Sequence, residues 1–264
     1  MKTLLLLGGT ADARRITKAL TEMSAEAGTP LRIIYSIAGL VRMPDVPCEV
    51  ISGGFTQFGG LEAYVRAQGV DAILDVTHPF ADTMSSHAVA VAKLCGIPCW
   101  RFHRPVWQRQ TGDRWQVFDS WTSLIPALAA KHAVLLTAGQ LTQSSMDQLV
   151  AQSLCVRGGQ RLVLRTAVLP KVELPDTVQW IKAIGPFKQA DEHALLEQYS
   201  IDALVTKNSG GAATEAKLHA ARELGIDVYM LQRPELPSAD MQFSETAEGV
   251  AVIKGWLRRS TRSL

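Results

Sequence analysis

Short apolar runs recur along this chain, each bounded by glycine, proline or polar residues and most followed by a stretch in which apolar positions return every three or four residues. The first pattern suits buried strands and the second amphipathic helices. Thr3–Leu7, Leu31–Tyr35, Asp71–Leu74 and Pro98–Phe102 are predicted strands, with Glu49–Ile51 a shorter one before a glycine-rich loop, Gly53-Gly54-Phe55 to Gly59-Gly60. Asp12–Ala27, Leu61–Gln68 and Ala81–Leu94 are predicted helices, the first stopping at Gly28-Thr29-Pro30. The alternation breaks over residues 105–125, a stretch rich in tryptophan and arginine, and then resumes. Helix Ser123–Lys131, strand Ala133–Leu136, strand-like runs Arg161–Val168 and Val178–Ile184, helix Glu192–Tyr199, strand Ala203–Val205, helix Ala212–Leu224, strand Asp227–Leu231 and helix Glu245–Arg258 complete the pattern. Such alternation predicts an α/β fold of mainly parallel sheets built from right-handed crossovers. The break divides the chain into domains 1–115 and 116–264, with the terminal helix free to pack back on the first.

Composition narrows the class without naming it. Hydrophobic residues make up 47% and charged residues 20% of 264, an ordinary globular balance. A formal charge of +2 argues against a general polyanion binder, so nucleic acid is not an expected partner. The opening Met1–Gly9 is too short in its apolar run for a signal peptide and leads into a glycine turn, and no run reaches a membrane span. The cysteines Cys48, Cys95, Cys99 and Cys155 form no CxxC pair. A cytoplasmic protein is the expectation.

Polar residues at the carboxyl ends of parallel strands sit where open α/β sheets bind ligands. Two loops have that placement: Asp75-Val76-Thr77-His78-Pro79-Phe80-Ala81 and Thr206-Lys207-Asn208-Ser209-Gly210-Gly211. Together they suggest two sheets whose loop ends close on one site. In the second, Lys207 is a mobile cation, Asn208 and Ser209 are short hydrogen-bonding groups, and Gly210-Gly211 opens backbone donors. It is not a Walker A loop, since Lys207 precedes the glycines. Gly8-Gly9-Thr10 follows the first strand and opens a helix, which suits a phosphate as well as it suits a plain turn. Ser36-Ile37-Ala38-Gly39 ends the second strand without the acid that NAD-preferring sheets carry, and Arg42 lies nearby. Trp100, Arg101, Arg104, Trp107, Arg109, Arg114 and Trp115 either bury as a connecting segment or recognise an anionic, planar ligand. The histidines show no metal-ligand spacing, so no metal is expected. A two-lobed cytoplasmic binding protein for an anionic small molecule and a sugar-nucleotide transferase remain alternatives.

Gly8-Gly9-Thr10 with Asp12-Ala13-Arg14, Asp75–Ala81, Arg104-Pro105 with Trp107, Gly112-Asp113-Arg114-Trp115, Gly185-Pro186-Phe187 with Glu192, Thr206–Gly211 with Ala216-Lys217-Leu218, and Arg233-Pro234 occur in one order. Carrying these motifs, the whole chain resembles the precorrin-6A reductases of cobalamin biosynthesis. The resemblance implies two Rossmann-like domains with an interdomain cleft for a nicotinamide cofactor, NADPH or NADH, and the substrate. It implies reduction of the C18–C19 double bond of precorrin-6A, or its cobalt form, to precorrin-6B. The implied partners are that carboxylate-rich tetrapyrrole and other enzymes of the pathway. Gly8, Gly9, Thr10, Ser36, Gly39, Asp75 and Thr77 would then bind the cofactor. Arg101, Arg104, Asn208, Ser209, Gly210 and Gly211 would bind the substrate, and His78 and Lys207 are the catalytic candidates. The chain departs from the family where Leu40 replaces an arginine, Val76 an alanine, and Thr137-Ala138-Gly139-Gln140 a Gly-Arg pairing.

Overall fold

The computed structural model describes residues 1–39 and 44–260, so Leu40 and Arg42 lie outside the described residues. The chain divides into two compact units, Met1–Pro105 with Pro234–Leu264, and Val106–Arg233. The sequence pattern places the division between residues 115 and 116, whereas contacts place it after Pro105 and return the last segment to the first unit.

The first unit holds β1 (Lys2–Leu7), α1 (Ala11–Glu26), β2 (Leu31–Ile37), β3 (Glu49–Ser52), α2 (Leu61–Ala67), β4 (Ala72–Asp75), α3 (Asp82–Cys95) and β5 (Cys99–Phe102). The second holds β6 (Trp115–Phe118), α4 (Trp121–Ala127), β7 (Ala133–Leu136), α5 (Gln143–Cys155), β8 (Arg161–Thr166), β9 (Val178–Lys182), α6 (Gln189–Gln198), β10 (Ala203–Lys207), α7 (Ala216–Glu223) and β11 (Asp227–Leu231). β12 (Met241–Phe243) and α8 (Thr246–Ser260) follow and belong to the first.

The two six-stranded sheets run β12-β5-β4-β1-β2-β3 and β6-β11-β10-β7-β8-β9, and every pairing is parallel. Each has the strand order of a Rossmann sheet, 3-2-1-4-5-6. The outermost strand of each is out of sequence order: β6 precedes the other strands of its sheet, and β12 joins the first sheet only after β11. Leu4, Leu5, Leu6 and Leu7 of β1 are all buried because helices cover both faces, which is why this strand is a continuous apolar run. Thr10 caps α1, its hydroxyl accepting from the Ala13 N–H at 3.1 Å.

Sequence patterning missed β6, β12 and α5. The edge strands are three or four residues long and mostly exposed, so they lack a buried run. α5 buries only Met146, Leu149 and two serines, a weak apolar stripe. The expected helix at 212–224 is instead a 3-10 turn, Ala212–Thr214, followed by α7. Among the described residues no helix is long and apolar enough to cross a membrane.

α8 completes the core of the first unit. Ile253, Trp256 and Leu257 pack with Phe243, Trp100 and Phe102, and Trp100 meets the Trp256 ring edge-on at 5.3 Å. Trp256→Ala should therefore cost about 3–5 kcal/mol, measured by urea unfolding. A loss below about 1 kcal/mol, the scale of one ordinary hydrogen bond, would show that the unit closes without this helix.

Candidate active site

In the first sheet the chain reverses direction between β1 and β4, and loops after these strands flank the switch point where such sheets hold ligands. Thr10 Oγ1 donates to the Val76 carbonyl at 2.9 Å and the Val76 N–H donates to Leu7 O at 2.9 Å. The glycine turn and the Asp75–His78 loop are thus adjacent.

The turn is built around Tyr35. A Cβ on Gly8 would lie 2.4 Å from the Tyr35 ring, so only glycine fits there. The Gly8 N–H donates to Ser36 O at 2.8 Å, and the Gly9 N–H to the Tyr35 hydroxyl at 3.1 Å. These donors were expected to hold a pyrophosphate; both are used inside the protein. Thr10, Ala11 and Asp12 N–H groups have no acceptor among the described residues, so the anion-binding capacity moves to the first turn of α1. Asp12 stands in that turn, held by Arg15 at 2.8 Å and Arg104 at 3.0 Å. Those two arginines offset a carboxylate that would otherwise repel a phosphate. Ser36 is buried and supplies its carbonyl to Gly8, while Gly39 is exposed with open space around it.

Several expected ligand contacts are internal to the protein. Asp75 is 1% exposed, and its Oδ1 accepts from Thr77 N–H at 3.1 Å and Thr77 Oγ1 at 2.7 Å. Its Oδ2 receives Arg101 Nε at 3.0 Å. Arg101 is buried too, donating onward to the carbonyls of Pro237 at 2.8 Å and Ser85 at 3.4 Å. A charge buried this deeply requires a partner, and Asp75 and Arg101 are each other's. Arg104, expected on substrate, is committed to Asp12 and largely buried; burial pushes its guanidinium down while Asp12 opposes this. His78 is exposed, and its Nδ1 accepts the Phe80 N–H at 3.2 Å, which leaves Nε2 as the protonated nitrogen of the neutral ring.

In the second sheet the switch point lies between β7 and β10, and Thr137 bridges it by donating to Val205 O from both N–H, at 2.8 Å, and hydroxyl, at 2.9 Å. The loop after β10 begins at Lys207. The Asn208 side chain is engaged within the unit: its Oδ1 accepts from Trp107 N–H at 2.9 Å and its Nδ2 donates to Trp107 O at 3.4 Å. Arg233 holds the other side, donating to Asn208 O at 2.9 Å and Ser209 O at 3.1 Å. Ser209 is buried and Gly210 adopts φ +65°, a left-handed conformation that favours glycine. Gly210 and Gly211 N–H groups have no acceptor among the described residues and remain candidates for ligand.

Trp100 and Trp107 are buried, each within the core of its own unit, and Trp115 is partly buried. Arg109 and Arg222 serve Asp113, and Arg114 bonds the Gly225 carbonyl. Tyr35, Arg233, Arg165, Glu192 and Lys217 have no site role in the sequence reading. Arg165 at the end of β8 is paired with buried Glu192 at 2.7 Å, and its guanidinium lies over the Phe187 ring at 4.3 Å. The last four of those residues have a visible signal, since all but Arg165 lie in the ordered motifs and Arg165 closes a strand. Tyr35 has none, because a phenol at a strand end looks like core.

Two parallel sheets in Rossmann order, with an open helix start at one switch point and a lysine–glycine loop at the other, define a Rossmann-type α/β protein. Residues 3–254 match the family model described as Precorrin-6x reductase CbiJ/CobK. The chain belongs to that family. It is 38% identical to a precorrin-6A reductase of Rhodococcus erythropolis, over 99% of this chain and 100% of that one. It is 37% identical to one of Mycobacterium tuberculosis, covering 90% and 91%. A cobalt-precorrin-6A reductase of Priestia megaterium is 30% identical, covering 88% and 91%. The solved structure of a CobK precorrin-6A reductase superposes with a TM-score of 0.80 at 33% identity, covering 98% of this chain and 97% of that one. The binding-protein and transferase alternatives find no support in these matches.

Removing one partner of the Asp75–Arg101 pair should expose its structural weight. Arg101→Met leaves a buried carboxylate unpaired and should cost about 3–5 kcal/mol in unfolding experiments. A variant as stable as wild type would return Arg101 to the ligand-binding candidates.

Proposed function

We propose that this protein reduces one double bond of precorrin-6A by hydride transfer from NADPH, and that its two sheets supply different halves of the recognition. Family membership over residues 3–254 carries this reading. The cofactor supplies the hydride when bound. The first unit's residues fit its phosphates: α1 offers unpaired N–H groups, Arg15 and Arg104 balance Asp12, and Gly8 admits no side chain. The strand end at Ser36–Gly39 lacks an acid for the ribose, which favours NADPH over NADH. His78, with Nε2 protonated, donates a hydrogen bond near the nicotinamide end. In the second unit, Lys207 and the Gly210 and Gly211 N–H groups take substrate carboxylates, and Asn208 and Arg233 hold their loop in place.

The relatives named precorrin-6A reductase are 34–38% identical, whereas those named for the cobalt substrate are 22–30% identical. That ordering favours the metal-free substrate. The deciding experiment is NADPH oxidation with precorrin-6A and cobalt-precorrin-6A supplied separately. Oxidation dependent on neither tetrapyrrole would refute the proposed activity.

Arg104 supplies a sharper test, because its partner is Asp12. Arg104→Ala leaves Asp12 with one compensating arginine fewer and should weaken NADPH binding about two- to thirtyfold, the scale of a charge at a helix start, and leave the precorrin-6A KM nearly unchanged. Fluorescence titration of NADPH, with circular dichroism to check folding, measures it. The opposite pattern would place Arg104 on the substrate.

A further inference from the structure

Three sequence motifs left without a role converge in the second unit. Glu192 from α6 pairs with Arg165 at the end of β8, Phe187 lies against the Arg165 guanidinium, and Lys217 in the first turn of α7 is buried beside them. The Lys217 amine lies 5.5 Å from the centroid of the Trp107 ring. Two buried polar atoms around this lysine have no partner among the described residues, Glu192 Oε2 and Trp107 Nε1. A packed core rarely leaves such atoms unsatisfied without a use for them. A structural helix would place leucine or methionine at the Lys217 position, since a buried ammonium carries a desolvation penalty.

Trp107 connects this cluster to the Lys207–Gly211 loop, because its backbone N–H and carbonyl both bond the Asn208 side chain. We propose that Lys217 is a positioning residue for the Lys207–Gly211 loop, acting through Trp107 and Asn208, so that its charge state sets how well the loop receives a substrate carboxylate. The inference rests on the reading that this loop binds substrate.

Arg165 from β8 and Glu192 from α6 are the charged groups that act on Lys217. Burial first, and then the positive Arg165, push its amine down to about 7, with Glu192 pulling the other way. The charge thus changes near neutrality, where an ordinary lysine stays protonated. Protonated, Lys217 is drawn to the Glu192 carboxylate and to the face of Trp107, which holds that residue, and with it the bonds its backbone makes to Asn208, in place. Neutral, it releases the ring, and the loop loses its fixed geometry. The sign for stability follows: from about 7 up to the ordinary 10.5 the unfolded chain binds more protons, so stability rises with pH across that window. Lys217→Met should remove that rise and be the more stable protein at neutral pH.

The test uses the full-length protein labelled with nitrogen-15. Backbone amide signals of Ser209, Gly210 and Gly211 should shift with pH in one step near neutrality. Lys217→Met should abolish the step, and Lys217→Arg should hold the amides at their low-pH positions throughout. In turnover, the wild-type KM for precorrin-6A should rise with pH across that step. Lys217→Met should keep KM at the high-pH value, about tenfold above the low-pH value if one charge-assisted contact is lost, with kcat little changed. A step that persists in Lys217→Met, no step in wild type, or a step without a KM difference would overturn the proposal. A wild-type protein that does not turn over precorrin-6A would sink the proposed activity instead, and the amide titration would still decide the role of Lys217.

Discussion

One buried carboxylate organises the ligand edge of the first sheet. Asp75 sits at the end of β4 with almost no exposure, and an ionised group so placed is tolerated only when every lone pair has a donor. Thr77 turns back to supply two donors and Arg101 crosses from β5 to supply the charge. Satisfying Arg101 in turn recruits the Ser85 carbonyl from α3 and the Pro237 carbonyl from the returning C-terminal segment. The β4 loop, the β5 strand, the α3 helix and the entry to β12 are therefore oriented by the needs of one charge. His78 follows that loop directly, so its place is a consequence of Asp75.

The same logic explains which parts of the site were legible in the sequence. Residue types at strand ends are visible, and the loops at Gly8, Asp75 and Lys207 follow strands that flank the switch points. What a sequence does not display is the partner. Asp75, Arg101, Arg104 and Asn208 look available in a linear reading, yet Arg101, Arg104 and Asn208 each have a partner at least 26 residues away. Tyr35 reverses the case: a phenol that reads as core shapes the glycine turn by taking the Gly9 N–H and filling the space over Gly8. The rule drawn from Asp75 and Arg101 is that a buried polar side chain at a strand end belongs to the scaffold until a missing partner says otherwise.

For the fold, the alternation of apolar runs and amphipathic stretches was sufficient for ten strands with buried faces. It failed at β6 and β12, whose pairing is decided by a neighbour far along the chain. β6 pairs with β11 and β12 with β5, in each case with a strand more than a hundred residues distant. An edge strand of three or four residues has little burial of its own to announce it. The consequence is architectural. The first unit is finished by a returning segment, so the last strand of its sheet comes only after the whole second unit in the chain.

The two sheets share strand order but differ in how charge is balanced at their ligand edges. At the α1 start, Asp12 meets Arg15 and Arg104, beside N–H groups that have no acceptor among the described residues. That suits a pyrophosphate, which needs donors and a mild field more than it needs a fixed point charge. In the second unit, Glu192 pairs with Arg165, and Lys207, Lys217 and Arg233 stand at or just behind the loop after β10. Lys207 is partly exposed there, Arg233 braces carbonyls from below, and Lys217 is held in reserve by burial. The two edges thus differ in where their charge pairs sit: at the first, around the exposed start of α1, and at the second, behind the loop in the buried Arg165–Glu192 pair.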